Sequence, residues 1–408
     1  MALRQRGCEV IFAADTPLAE MIERELPGIP TVEISGLTIR YSRFLPQYIS
    51  IFLRLPVIIA SALKEHRELR LLAEELRPSV IISDNRFGFY HKKIFSVYVT
   101  HQVKIAFPAL LRFLEPLAAW MHRMIIRRYD LCLVPDYPGN ANLSGRLSHG
   151  ARLPANVAWM GPLSRFAMAG SDLAGTRPGS FASSGPVQAV IDQSDPGTSA
   201  SDQAVARQVV IPPAQPYACL ILSGPEPQRS MLLQKTAESV HQFPLTVLTA
   251  TPVSRPLPCG AGLQLITAPS TATMRQIISG ASLVIARAGY TSVMELVSLR
   301  KGAVLVPTPG QTEQEYLGRH LNGRFGFIAM KQGRLEQLNA LVAERVSHSP
   351  GEEPADQITN PGKEQADNIN TPAGSADNTG KIMVWEPLPD PAPLFEKVLK
   401  LLSEQKPE

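Results

Sequence analysis

Cysteine is scarce and scattered. The 408 residues hold four, Cys8, Cys132, Cys219 and Cys259, with no CxxC pair. That excludes a zinc site of CxxC type and argues for a reducing compartment rather than a disulfide frame. Charge of one sign is scarce as well. Forty Lys and Arg against 36 Asp and Glu leave +4, too little by itself to imply nucleic acid as a partner. No uncharged apolar run reaches about 18 residues, so no transmembrane helix is expected. The most apolar stretches, 52–62 and 107–121, are interrupted or flanked by Arg54, Arg112 and Glu115. The opening residues, MALRQRGCEVIF, carry no secretory signal. No GxGxxG follows a candidate strand, no phosphate cradle carries a Walker lysine, and no cluster has metal-ligand spacing. A dehydrogenase, a P-loop nucleotidase and a bound metal are therefore poor readings.

What is present is an α/β pattern. The apolar fraction of 44% and charged fraction of 19% describe a globular chain, and its length suggests two or three domains. Short apolar runs alternate with helical stretches. Strands are expected at 9–13, 31–34, 79–83, 95–100 and 131–134, and helices near 17–26, within 47–76 and at 108–128. A second series of strands is expected at 217–222, 245–249, 263–266, 282–286 and 303–306. Helices are expected near 227–242, at 274–279, from Thr291 or Ser292, from about Thr312 and at 393–404. This alternation indicates parallel sheets. Residues 167–208 are rich in Ser, Ala, Gly, Asp and Pro, and 349–380 hold six acidic residues and one Lys. Both read as disordered inserts. The expected division is an N-terminal α/β domain at 1–163, a linker at 164–213, a second α/β domain at 214–390 containing the insert 349–380, and a terminal helix at 391–408.

The most informative stretch is Gly280–Leu321. It reads as two strand–loop–helix units. The run 282–286 ends in Arg287-Ala288-Gly289-Tyr290, where Thr291 or Ser292 is expected to cap a helix and Glu295 stands close to capping-box spacing. The run 303–306 ends in a loop through Gln314. Loops that follow strands and precede helices are where α/β sheets bind anions, because free N–H groups and the helix dipole point there. Ser223-Gly224-Pro225 holds the same position after 217–222.

These residues resemble the C-terminal domain of family 28 glycosyltransferases. The shared pattern is Ala286-Arg287-Ala288-Gly289, Thr291-Ser292, Glu295, Val306-Pro307 and Gln311/Gln314. The resemblance implies a GT-B fold, two doubly wound Rossmann-like domains facing a cleft. It implies a glycosyltransferase that moves a hexose or N-acetylhexosamine from a UDP-sugar to an acceptor hydroxyl, inverting the anomeric centre without a metal or cofactor. The donor site would comprise Arg287, Ala288, Gly289, Thr291, Ser292, Glu295, Gln311 and Gln314, together with Ser223 and Gly224, which are added on their position after a strand rather than on the resemblance. Glu295 would hold the ribose hydroxyls and Gln314 the sugar hydroxyls. The family often has Asn where Leu317 stands, which leaves the donor sugar open. A glycan or lipid-linked acceptor is implied. Two alternatives are a UDP-sugar 2-epimerase and a nucleotide-sugar-binding protein without turnover.

Catalytic candidates in the N-terminal domain are His101 and Asp84, both expected at strand C-termini facing the cleft. Histidine suits a general base near neutral pH. Each residue also has a bland reading, His101 as a structural histidine and Asp84 as part of a turn. Arg287 reads either as a phosphate partner or as a surface residue. A Gly-rich loop ending in Gly-His, present in the resembled family, is missing ahead of Ala2–Arg6, so the native start is expected upstream of Met1.

Residues 104–128 hold five Lys or Arg and one acidic residue among apolar side chains. They read equally as a core-facing amphipathic helix or as a docking face for an anionic bilayer. A cytoplasmic protein, with the inner face of the membrane as one location, is the expectation.

Overall fold

The computed structural model describes residues 2–34, 55–107, 109–150, 153–166, 216–240, 243–253, 262–347 and 392–403. The expected helical residues 47–54 and both expected inserts lie outside the described residues.

The N-terminal domain contains α1 (Ala2–Gln5), β1 (Phe12–Ala14), α2 (Thr16–Glu25), β2 (Thr31–Glu33), α3 (Leu55–Leu76), β3 (Val80–Asp84) and β4 (Phe95–Val99). A 3-10 turn at Ala109–Leu114 leads into α4 (Glu115–Ile126), and β5 (Leu131–Val134) and β6 (Val157–Trp159) follow. Strands β3, β4, β5 and β6 form one parallel sheet in that order, and β1 and β2 form a separate parallel pair. The helix expected over 108–128 is broken because Pro116 has no N–H to give. It is accommodated only in the first turn of a helix, so α4 starts at Glu115. The strand expected at 9–13 is reduced to β1.

The C-terminal domain contains β7 (Ala218–Leu222), α5 (Gln228–Ser239), β8 (Leu245–Thr249), β9 (Leu263–Thr267), α6 (Thr271–Gly280), β10 (Leu283–Ala286), α7 (Tyr290–Ser298), β11 (Ala303–Leu305), α8 (Thr312–Leu321), β12 (Phe327–Ala329) and α9 (Leu338–Ser347). The six strands are parallel in the order β12-β11-β10-β7-β8-β9. Their residues are apolar without alternation because both faces are covered. On one face Cys219, Val284 and Leu305 meet Ile277 of α6, Val293 and Leu296 of α7, and Leu317 of α8. On the other face Leu220, Val247 and Ile285 meet Leu232 of α5, and Leu338 and Val342 of α9. Burying such side chains is worth about 1.5–3 kcal/mol each.

The chain then returns to the first domain. Helix α10 (Ala392–Ser403) places Val398 and Leu402 with Val97, Val99 and Leu133 on the N-terminal sheet. The domains also join elsewhere, since Ala106, Tyr137, Leu143, Leu147 and Phe166 are buried in the same apolar cluster as Tyr290 and Leu317.

Candidate functional site

Strand order reverses between β7 and β10, where the chain leaves β7 to one side and β10 to the other. Crevices at such a switch point, outside the strand C-termini, are where open α/β sheets take ligands. The loops there are Ser223-Gly224 after β7 and Arg287-Ala288-Gly289 after β10. Gly224 has φ +98°, a left-handed conformation that favours glycine. A Cβ added at Gly224 or Gly289 meets nothing within 4 Å, so the space over both backbones is open.

Gly289 is the N-cap of α7, with φ −81° and ψ 141°, and no side chain caps the helix. The expected cap at Thr291 or Ser292 is therefore wrong, because the helix begins at Tyr290 and both hydroxyl residues sit inside its first turn. Glu295 lies six residues past Gly289 rather than three, so the capping-box reading fails too. No acidic residue stands in the first turn of α7, and the first N–H groups of a helix have no partner within it. Helix α5 differs. Glu226 Oε2 accepts from Ser230 N at 3.1 Å, and Glu226 Oε1 accepts from Arg229 Nε at 3.1 Å, so an acid already meets that N-terminus.

Arg287 is 1% exposed, which overturns the surface reading. Its Nη1 donates to the Val306 carbonyl at 3.3 Å and its Nη2 to the Gln228 carbonyl at 2.6 Å. Its Nε is buried without a partner among the described residues. Burial alone pushes the guanidinium down to about 10. Ala288, beside it, is fully buried and offers only its backbone.

Glu295 is 7% exposed. Arg165 Nε donates to its Oε1 at 2.8 Å. Burial raises the Glu295 carboxyl above the usual range, and Arg165 acts against that. Residues 164–166, at the start of the expected linker, lie with Leu163 near α7, where Leu163 N donates to Met294 Sδ at 3.4 Å. No sequence signal marks Arg165 as a partner of the site.

The second loop is held by its own helix. Gln314 Oε1 accepts from Thr308 N and Glu315 Oε1 from Gly310 N, both at 2.9 Å. Gln311 is the N-cap of α8 without a side-chain cap bond.

The N-terminal domain contributes the opposite wall. Asp84 closes β3 and His101 follows β4, on neighbouring strands paired through Asp84 and Val99. Desolvation raises the Asp84 carboxyl, with His101 and Arg86 pulling it back. His101 reaches the C-terminal domain directly. Its Nε2 lies 2.8 Å from Glu313 Oε1, and its ring stacks on Tyr290 at 4.4 Å and 6°. Tyr290 Oη donates to the Pro135 carbonyl at 2.9 Å. Thr312 Oγ1 donates to the Ala106 carbonyl at 2.8 Å, and Tyr316 Oη accepts from Arg146 N at 2.7 Å. Gly145, with φ +53°, allows that approach, since a Cβ there would sit 2.2 Å from Tyr316 Oη. The structure thus gathers Gly289, Gln311 and His101 around the N-termini of α7 and α8.

Residues 237–369 match the model of the glycosyltransferase family 28 C-terminal domain. The C-terminal domain is a family 28 glycosyltransferase domain. By that domain the chain is a glycosyltransferase, and the match includes Arg287 to Gln314. Two solved structures are similar across both domains. One is the calicheamicin glycosyltransferase CalG4, at 11% identity and TM-score 0.50, covering 86% of this chain and 85% of that one. The other is the spinosyn rhamnosyltransferase SpnG complexed with thymidine diphosphate, at 14% and 0.50, covering 85% and 86%. At these identities the likeness is one of fold, and it is the two-domain GT-B fold. A comparison with curated proteins finds no match.

Proposed function

We propose that this glycosyltransferase takes a UDP-activated hexose or N-acetylhexosamine and transfers the sugar to an acceptor hydroxyl, inverting the anomeric centre. The observation that carries the reading is the pairing of Arg287 with the α7 N-terminus at the switch point. A buried guanidinium whose Nε has no partner among the described residues is costly. An anion over Gly289 and Gly224 would compensate it, and the first-turn N–H groups of α7 would donate to the same anion. Ser223, Ala288, Thr291 and Ser292 frame that space. Glu295, shared with Arg165, accepts from the ribose hydroxyls in this reading. Gln311 and the amide nitrogen of Gln314 take the sugar hydroxyls in this reading. Charge gathering on the leaving UDP is met by N–H groups and Arg287 rather than by a metal. His101 takes the acceptor proton, with Asp84 next to it on the neighbouring strand end.

The acceptor in this reading is carried at a membrane. Phe113, Leu117, Trp120, Met121 and Met124 recur at three- and four-residue spacing and are all exposed, with Arg123 and Arg127 alongside in a groove shared with Leu153 and Pro154. The core-facing alternative for this segment fails for those five side chains, because each of them is exposed. An apolar stripe edged by arginines suits an anionic bilayer surface, such as the inner face of a cytoplasmic membrane, and a lipid-linked acceptor.

Calorimetry on the full-length chain tests the donor reading. UDP should bind with equal affinity in EDTA and in magnesium, and more tightly than thymidine diphosphate. Absence of UDP binding, or binding only with a divalent ion, would overturn it.

A further inference from the structure

We propose that Glu313 is the positioning residue for His101, so that the base of the N-terminal domain is completed by a carboxylate of the C-terminal domain. This rests on the reading of His101 as the base. The bland role for Glu313 is to offset the dipole of α8, in whose first turn it stands. Its neighbours already serve that end of the helix. Gln314 and Glu315 turn back onto Thr308 N and Gly310 N. Glu313 instead reaches out of its own domain, and the partner it finds is His101 Nε2.

The imidazole is restrained on two sides by the C-terminal domain. Glu313 holds one nitrogen, and Tyr290 lies flat against one ring face. Both holders are themselves tied to the N-terminal domain, Tyr290 through the Pro135 carbonyl and α8 through Thr312 and the Ala106 carbonyl. Tyr290 is also the first residue of α7, so the ring stands beside the helix end that faces the diphosphate.

A carboxylate accepting from Nε2–H selects one neutral tautomer and leaves the Nδ1 lone pair as the base. Nδ1 has no partner among the described residues. In transfer the acceptor oxygen forms a bond to the anomeric carbon while the bond from that carbon to the diphosphate oxygen breaks. The electron pair of the broken bond leaves with UDP, and the acceptor proton goes to Nδ1. The imidazolium so formed then lies against the Glu313 carboxylate, which stabilises it. The pair exists only where the two domains meet.

The test uses the full-length chain with UDP-N-acetylglucosamine and UDP-glucose as donors and water as the acceptor, following UDP release. Glu313→Gln keeps volume and an acceptor oxygen, so folding should survive. It should lower kcat by about tenfold or more, and His101→Ala by about 10²–10⁴-fold. Donor KM and UDP affinity should stay unchanged in both. The double variant should be no slower than His101→Ala alone, because the carboxylate acts through the ring. A raised donor KM with kcat intact would make Glu313 a sugar ligand and overturn the proposal. So would additive losses, or no loss. Nitrogen NMR at pH 8 reads the pair without turnover. Proton on Nε2 of His101 is expected, and proton on Nδ1 would overturn the proposal. Failure of the wild type to bind UDP would remove the donor reading instead, and the tautomer would still decide the pair.

Discussion

Arg165 donates to Glu295 at 2.8 Å, joining the segment after β6 to the helix that opens at Gly289. The contact gives Glu295 two separable jobs. One is to anchor residues 163–166 on α7. The other is to present an acceptor to a ligand. Glu295→Ala should weaken UDP by about 1–3 kcal/mol, the range for losing charge-assisted hydrogen bonds. Arg165→Ala removes the anchor and leaves the carboxylate, so it should lower the melting temperature while UDP affinity falls less. If Glu295→Ala costs stability alone and UDP titrates unchanged, the carboxylate is only an anchor.

Arg287 offers a sharper contrast. Met in its place keeps much of the buried volume and removes the cation. Arg287→Met should therefore fold yet bind UDP about tenfold or more weakly, the scale of a hydrogen bond to a charged group. Lys in its place keeps charge but cannot span the Val306 and Gln228 carbonyls together, so its affinity should fall between the two. Equal UDP affinity in all three proteins would show that Arg287 only braces the loops.

Much of this architecture was legible in the sequence, and the reason is specific. Strands such as Ala218–Leu222 and Leu283–Ala286 are buried on both faces, so they appear as unbroken apolar runs. The start of α8 at Thr312 was marked by the loop ahead of it. Strands β6 and β12 have three residues each and were not expected, although the equally short β2 and β11 were. The first turn of α7 misled because Thr291 and Ser292 look like caps, yet Gly289 makes the same turn with no side chain. The pairs that define the site were not legible. His101 and Glu313 stand 212 positions apart, and Arg165 and Glu295 stand 130 apart. Only the packing of one domain on the other brings them together.

Asp136 gives a pH-dependent prediction. It is fully buried after β5, and its carboxylate accepts from Tyr137 N, Leu143 N, Ser144 N, Ser144 Oγ and His149 Nε2. Burial alone would raise this carboxyl, but the hydrogen bonds from His149, Leu143 and Ser144 together hold it below the usual range. A depressed folded value means the stabilisation is complete above the unfolded pKa, about 3.9 for Asp. It is lost as pH falls through the folded value. Asp136→Asn should cost about 2–3 kcal/mol at pH 7. In thermal melts the gap between variant and wild type should begin to narrow below about pH 4 and go on narrowing as pH falls toward the lower folded value. A gap that is constant from pH 7 to pH 3 would mean that shape, not charge, holds the 136–149 loop.

The stripe along α4 and the turn before it makes the last prediction. Trp120 is 55% exposed and Phe113 73%, and no group in the described structure covers them. If they enter a bilayer edge, the full-length chain should sediment with vesicles containing phosphatidylglycerol and much less with phosphatidylcholine alone. Each arginine near an anionic surface contributes about 1 kcal/mol, so Arg123→Gln with Arg127→Gln should cut vesicle affinity by about 30-fold. Trp120→Glu should cut it further, by placing a charge in the apolar stripe. UDP affinity should be unchanged in both, because none of these side chains is among the residues assigned to the donor. Equal binding to both vesicle types would point to apolar insertion without the arginines. No binding to either would leave the exposed stripe without a bilayer partner and would remove the case for a lipid-linked acceptor.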